Sequence, residues 1–325
     1  MSEPIIEAKQ RRRRKRFEFR LEIRMLFLTL VLLVVLSLSS KYFLTYNNIM
    51  NVLDQSVVVG ILAVGQTAVV LTGGIDLSVG ALLGFGGMML ALSGSSIGFI
   101  PSLLLGLLAG GAAGGINGLL VVKARIAPFI VTLGMLSVAR SVTYIASGAA
   151  SITDLPPALI QVATGTILGV PIDIIFLAVL YVAGWWYFGY TKGGRTIYAI
   201  GSNAEAARIA GLAIERYTIA VYAVSGVLAA LAAAFMAGRI RAVDPTSGTG
   251  LELDSIAAVV IGGASLFGGR GSMIGTFFGV IIMVCIRNGL NLMGIDPYWQ
   301  GTAVGCIIVA AVAGERLLSG SKAAG

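Results

Sequence analysis

The sequence has no histidine. That absence removes imidazole metal sites, histidine general bases and the Ser-His or Cys-His forms of nucleophilic catalysis together. No Gly-Lys dipeptide occurs, so there is no Walker A phosphate loop, and any nucleotide energy must come from another chain. The two cysteines, Cys285 and Cys306, lie inside long apolar runs and read as small buried hydrophobes without redox meaning. Charge is scarce as well. Only 12% of the 325 residues are charged, against about a quarter in an average soluble domain.

What is abundant is apolar surface. Hydrophobic residues make up 57% of the chain and mean hydropathy is +0.93. A water-soluble fold cannot hide that much, so the chain is an integral membrane protein. Its apolar runs lack the two-residue alternation of a membrane β-barrel, which leaves an all-α polytopic bundle. Runs long enough to span, or nearly so, fall at about 25–44, 52–72, 77–94, 98–122, 128–148, 170–190, 217–237, 254–268, 273–292 and 298–314. The third and eighth are short and glycine-rich. The expected organisation is a basic arm over 1–24, a membrane domain over 25–314 with a cytoplasmic loop at 191–216, and a tail over 315–325.

Charge sets the orientation. Residues 1–24 hold nine of the 23 Lys and Arg, including the run Arg11–Arg16. With an uncharged apolar helix following at once, that run reads as a cytoplasmic arm at the anionic leaflet rather than a nucleic-acid site. Ten spans with both termini cytoplasmic place eighteen of the Lys and Arg inside and only Lys41, Arg239 and Arg241 outside. Glycine, at 44 positions, is patterned. Gly106, Gly110, Gly114 and Gly118 form one face of the fourth helix, and Gly271, Gly275 and Gly279 repeat the spacing. Such faces let helix backbones approach closely.

Two segments carry more. In Leu71-Thr-Gly-Gly-Ile-Asp-Leu-Ser-Val-Gly80, paired glycines end one helix and Asp76 or Ser78 can cap the next. A broken helix lining a solute path is the functional alternative, because non-helical backbone at membrane depth must face protein or a water-filled cavity. In the cytoplasmic stretch from Gly194 to Gly211, Ser202 and Glu205 have capping-box spacing and Gly211 suits a left-handed stop. A helix of about two turns results, with Leu212 and Ile214 stranded beyond it. So short a helix needs something to pack on, either its own bundle or a partner.

Three elements, GGIDLSVG at 73–80, APFIVTLG at 127–134 and GRxxxAIGxNxEAARxAG at 194–211, resemble the permease subunits of bacterial ABC importers for simple sugars of the ribose, xylose and galactose type. The resemblance runs from about Asn47 to Trp299. Permeases for nucleosides and branched-chain amino acids belong to the same superfamily. The resemblance implies a second permease subunit, an ATP-binding-cassette ATPase that carries the ATP and Mg, and an extracytoplasmic sugar-binding protein. It implies no cofactor in this chain and no enzymatic site. The loop would be the coupling helix, with Arg195, Asn203, Glu205, Arg208, Ile209, Gly211 and Leu212 meeting the ATPase.

Polar groups within the spans nominate a translocation path: Gln66, Thr67, Asp76, Asn117 and Asn288, with Tyr298 and Trp299 able to stack on a sugar ring. For each amide a helix–helix hydrogen bond is the competing reading, and for the aromatic pair an interface anchor. Arg239, Arg241, Asp244 and Glu252, charges on the outer side, nominate a docking surface for the binding protein, with internal pairing the alternative. An ion-coupled secondary transporter is the rival class. It would require intramembrane carboxylates or histidines; histidine is absent, and Asp54 and Asp76 lie near helix ends.

Overall fold

The computed structural model describes residues 22–296, 299–306, 309 and 313. The Arg11–Arg16 run, the tail over 315–325 and Tyr298 lie outside the described residues. Helix α1 covers Glu22–Ser39. It is followed by α2 Tyr46–Leu71, α3 Val79–Ile97, α4 Phe99–Lys123, α5 Pro128–Ser147, the short α6 Pro157–Thr164 and α7 Ile172–Tyr190. Two cytoplasmic helices, α8 Lys192–Ser202 and α9 Ala204–Ile209, lead to α10 Ile214–Ile240, α11 Leu251–Ile261 and α12 Met273–Leu292. Residues 299–306 are again helical. A two-residue hairpin, Thr166–Ile167 against Val170–Pro171, is the strand structure between α6 and α7.

Eight of the helices among the described residues are long and apolar enough to cross a membrane. They match eight of the ten expected spans. The expected span at 254–268 needs correction. It is α11, with 11 residues, about 16 Å long at 1.5 Å per residue, half of a 30 Å hydrocarbon core. Its end is set by the glycine-rich turn after it, where Gly263, Gly268, Gly269 and Gly271 all take positive φ that other residues resist. The last expected span is described only at 299–306, 309 and 313. Cys306 also differs from expectation: it is exposed, whereas Cys285 is buried between α12 and its neighbours.

Helix α10 is the centre. It packs on α4, α2 and α3, while α4, α5 and α7 turn most of their surface outward. The glycine faces explain the closeness. A Cβ at Gly106 would overlap the Gly86 carbonyl, one at Gly110 the Gly226 carbonyl and one at Gly114 the Tyr222 carbonyl. The face at 271–279 does the same against α11, with Gly275 on the Gly262 carbonyl and Gly279 on the Ala258 carbonyl. Backbone contact of this kind replaces the hydrophobic drive that lipid removes.

Candidate functional site

The first segment is a true break inside the bundle. After α2 the chain turns at Thr72–Gly73, where Gly73 has φ +82, and runs back beside α2 as non-helical backbone to Ser78. Side chains from four helices satisfy it. Gln66 Nε2 of α2 donates to the Asp76 carbonyl at 3.1 Å, and Thr132 Oγ1 of α5 donates to the Ile75 carbonyl at 3.2 Å. Asn117 Nδ2 of α4 donates to Ser78 Oγ at 2.9 Å, and Ser225 Oγ of α10 donates to Asp76 Oδ2 at 3.1 Å. The Asp76 carboxylate also accepts from the Ser78 amide and hydroxyl. Asp76 therefore caps the break, and Gln66, Asp76 and Asn117 are brought together around it. Gln66 Oε1, Asn117 Oδ1 and the Tyr222 hydroxyl, all buried beside this loop, have no hydrogen-bond partner.

A second break enters from the opposite end. Between α10 and α11, Val243 pairs with Ile152 of the outer loop, and residues 244–250 then pass inward along α3. Arg140 of α5 donates to the Pro245 carbonyl at 2.7 Å and to the Ser247 carbonyl at 2.9 Å. The two breaks meet: a Cβ at Gly80 would overlap both Glu252 Oε2 and the Gly248 carbonyl. Two residues on, Asp254 is buried and pairs with Arg287 of α12 at 2.7 Å.

The other nominated path residues lie elsewhere. Thr67 shares a hydroxyl contact of 2.8 Å with Thr276 of α12. Asn288 forms a reciprocal amide pair with Asn48, at 2.9 and 2.8 Å. These are helix–helix bonds, away from the Asp76 cluster. Trp299 is 66% exposed.

The outer charges divide. Arg239 is held inward by Asp54 of α2 and by Asp173 at the start of α7, and Glu252 lies against α3. Both are corrections to a free docking surface: Arg239 is taken up by two carboxylates within the bundle, and Glu252 is half-buried, its Oε1 accepting from the Gly250 amide. Arg241 remains exposed at a left-handed position, φ +59. Asp244 accepts hydrogen bonds from Ser151 and Thr246, which hold its carboxyl below the usual range.

On the cytoplasmic side the expected short helix is two helices. Thr191 caps α8 through the Gly194 amide, and Asn203 caps α9 through the Ala206 amide. Asn203 thus takes the place expected for Ser202, whose hydroxyl bonds back to the Tyr198 carbonyl. Gly211 adopts φ +75, the expected left-handed stop. Glu205 and Arg208 pair at 3.1 Å on the exposed face, and Arg195 is exposed. Ile209 is 82% exposed, while Leu212 is half-buried.

The inner side of α8 is joined to both glycine turns. Tyr198 Oη donates to the Gly271 carbonyl at 2.8 Å, and the Gly269 amide donates to the Leu71 carbonyl at 3.0 Å. A Cβ at Gly201 would overlap both Leu71 O and Gly269 N. Sequence reasoning missed Tyr222 and Ser225. Their spacing of three on one face of an otherwise apolar helix was the available signal.

A sequence profile of the family described as branched-chain amino acid transport system / permease component matches residues 48–312. The ribose import permease protein RbsC of Escherichia coli (strain K12) is 39% identical over 282 residues, covering 85% of this chain and 88% of that protein. RbsC of Bacillus subtilis (strain 168) is 39% identical over 284 residues, with 86% and 88% covered. The fructose import permease protein FrcC of Rhizobium meliloti is 38% identical over 290 residues, with 85% and 79% covered. No solved structure matches significantly.

Proposed function

The chain belongs to the branched-chain amino acid transport system / permease component family, and on that premise we propose that it is the membrane-spanning permease subunit of an ABC importer for a monosaccharide. The observation that carries the sugar is the identity of 39% along 85% of the chain with a ribose import permease. The protein is a multi-pass component of the bacterial inner membrane. ATP and Mg belong to a separate ATPase, an extracytoplasmic binding protein delivers the solute, and a second permease subunit completes the membrane part. The arm over 1–24 and the tail over 315–325 flank the transport domain on the cytoplasmic side.

The coupling surface is the α8–α9 pair with Arg195, Asn203, Glu205, Arg208, Ile209, Gly211 and Leu212. An isoleucine 82% exposed on a helix outside the spans supports it, since an apolar anchor with a charged rim is the usual anatomy of a docked helix. The path runs by the first break through Gln66, Asp76 and Asn117. Of the outer charges, Arg241 and Asp244 are the ones placed to meet a binding protein.

The experiment is reconstitution with the ATPase and binding protein, with ribose, allose and fructose offered in turn. Uptake that requires ATP and the binding protein supports the proposal. Uptake driven by an ion gradient alone would sink it and restore the secondary transporter. The double variant Arg208→Glu with Ile209→Asp inserts normally and loses both ATPase co-purification and transport. Transport at the parental rate by that variant removes the coupling role.

A further inference from the structure

A cavity of about 770 Å³ opens at the cytoplasmic end of the bundle. Its polar walls come from three places: Lys123 and Arg125 at the end of α4, Arg208 on α9, and Glu215, Arg216 and Thr218 in the first two turns of α10. Four cations thus stand round one carboxylate. The volume is within the ~300–1,000 Å³ of small-molecule sites.

The charges do not cancel among themselves. Glu215 is taken up by Lys123, and Arg208 pairs with Glu205, which is not part of the lining. Arg125 and Arg216 form no ion pair among the described residues. Arg125 is also held at φ +55, a left-handed position that side chains resist and that gathers at functional sites. Deeper in the wall, Thr218 is 7% exposed, yet its hydroxyl has no hydrogen-bond partner among the described residues. Thr67, Thr143 and Thr196, also helical, return their hydroxyls to the carbonyl four residues back. Thr218 does not, and it faces the cavity. The preference of lysine and arginine for this side of a membrane accounts for cations here. It does not account for two of them unpaired round one cavity, with a buried hydroxyl left free.

We propose that this cavity binds a phosphate group. A guanidinium presents two parallel N–H donors that match two phosphate oxygens, and a threonine hydroxyl can donate to a third. A phosphomonoester carries about 1.5 to 2 negative charges at neutral pH, which offsets most of the positive charge left over Glu215. The carrier is a phosphorylated small molecule of the cytoplasm or the headgroup of an anionic lipid, and the recognising chemistry is the same for both.

The test uses the full chain in nanodiscs of zwitterionic phosphatidylcholine, with and without the ATPase. D-ribose 5-phosphate should bind saturably where D-ribose does not. Arg125→Gln with Arg216→Gln should weaken that binding at least tenfold, and Thr218→Val severalfold. Both arginines are exposed, so the double variant keeps its fold. Arg270→Gln, at an exposed cation outside the cavity, should change nothing. The lipid is read separately, by native mass spectrometry of protein extracted from membranes rich in phosphatidylglycerol. Phosphatidylglycerol that the parent retains and the double variant loses assigns the site to a headgroup. Ribose 5-phosphate binding without retained lipid assigns it to a soluble ligand. Binding of neither, or binding that none of the cavity substitutions weakens, overturns the phosphate site. So does loss of both probes when the ATPase docks, since the ATPase would then fill the cavity. Because binding is measured without transport, its failure is distinct from a failure of the permease reading.

Discussion

The two helix breaks share a sequence pattern and solve the same problem differently. Residues 74–87 read GIDLSVGALLGFGG and residues 250–263 read GLELDSIAAVVIGG, equal in length, with glycine at the first position, an acid at the third and two glycines at the end. One break enters from the cytoplasmic end after α2, the other from the outer end after α10. In the first, four helices supply neutral donors and Asp76 accepts from two hydroxyls and an amide. In the second, one arginine holds the loop carbonyls and a second arginine neutralises Asp254, while Glu252 Oε2 has no hydrogen-bond partner. Neutral donors from four helices converge on the first break. The second break is held by full charges, and full charges fail more steeply when one is removed.

The largest expected effect follows from that asymmetry. Arg287→Ala leaves the Asp254 carboxylate buried and alone, at a cost of about 3–5 kcal/mol, read as a fall in the thermal midpoint of the purified protein. Adding Asp254→Ala should recover much of the loss. A double variant no better than the single would mean that the pair is not what Arg287 contributes.

Arg140→Met comes next. It removes two charge-assisted hydrogen bonds to the outer loop, about 2–4 kcal/mol in all, and protease added from outside should then cut near Thr246. Asp76→Asn keeps the shape and one acceptor and should cost about 1 kcal/mol. A loss as large as that of Arg287→Ala would erase the distinction between the two breaks. Smallest is Glu205→Ala with Arg208→Ala, an exposed pair worth at most about 0.5 kcal/mol of stability. An unchanged midpoint with lost ATPase co-purification separates its role from folding. Single cysteines at Asp154 and Glu205, labelled from either side of the membrane, check the orientation on which both ends depend.

Much was legible in the chain because the signals are local. Long apolar runs against a ~30 Å core mark the helices. Lysine and arginine counts mark the sides, and glycines four apart mark the close faces. The stretch at 194–211 announced a short helix with a left-handed glycine stop, which Gly211 provides. The half-length of α11 was less legible, since the run at 254–268 is mostly apolar and only the turn geometry of its glycines divides it.

Hydropathy, being a sum over neighbouring residues, determined by itself that this protein is a helical membrane bundle, and the paired glycines before Asp76 marked the first of its broken segments. The partner of each buried polar group was decided by tertiary structure alone. Asn288 finds Asn48 from 240 positions away, Arg239 turns to Asp54 and Asp173 instead of facing outward, and Tyr222 comes to rest against Gly74. In an apolar surrounding an unpaired polar group is costly wherever it lies in the chain. The pairs are therefore chosen by which helices touch, and that choice is made only when the bundle closes.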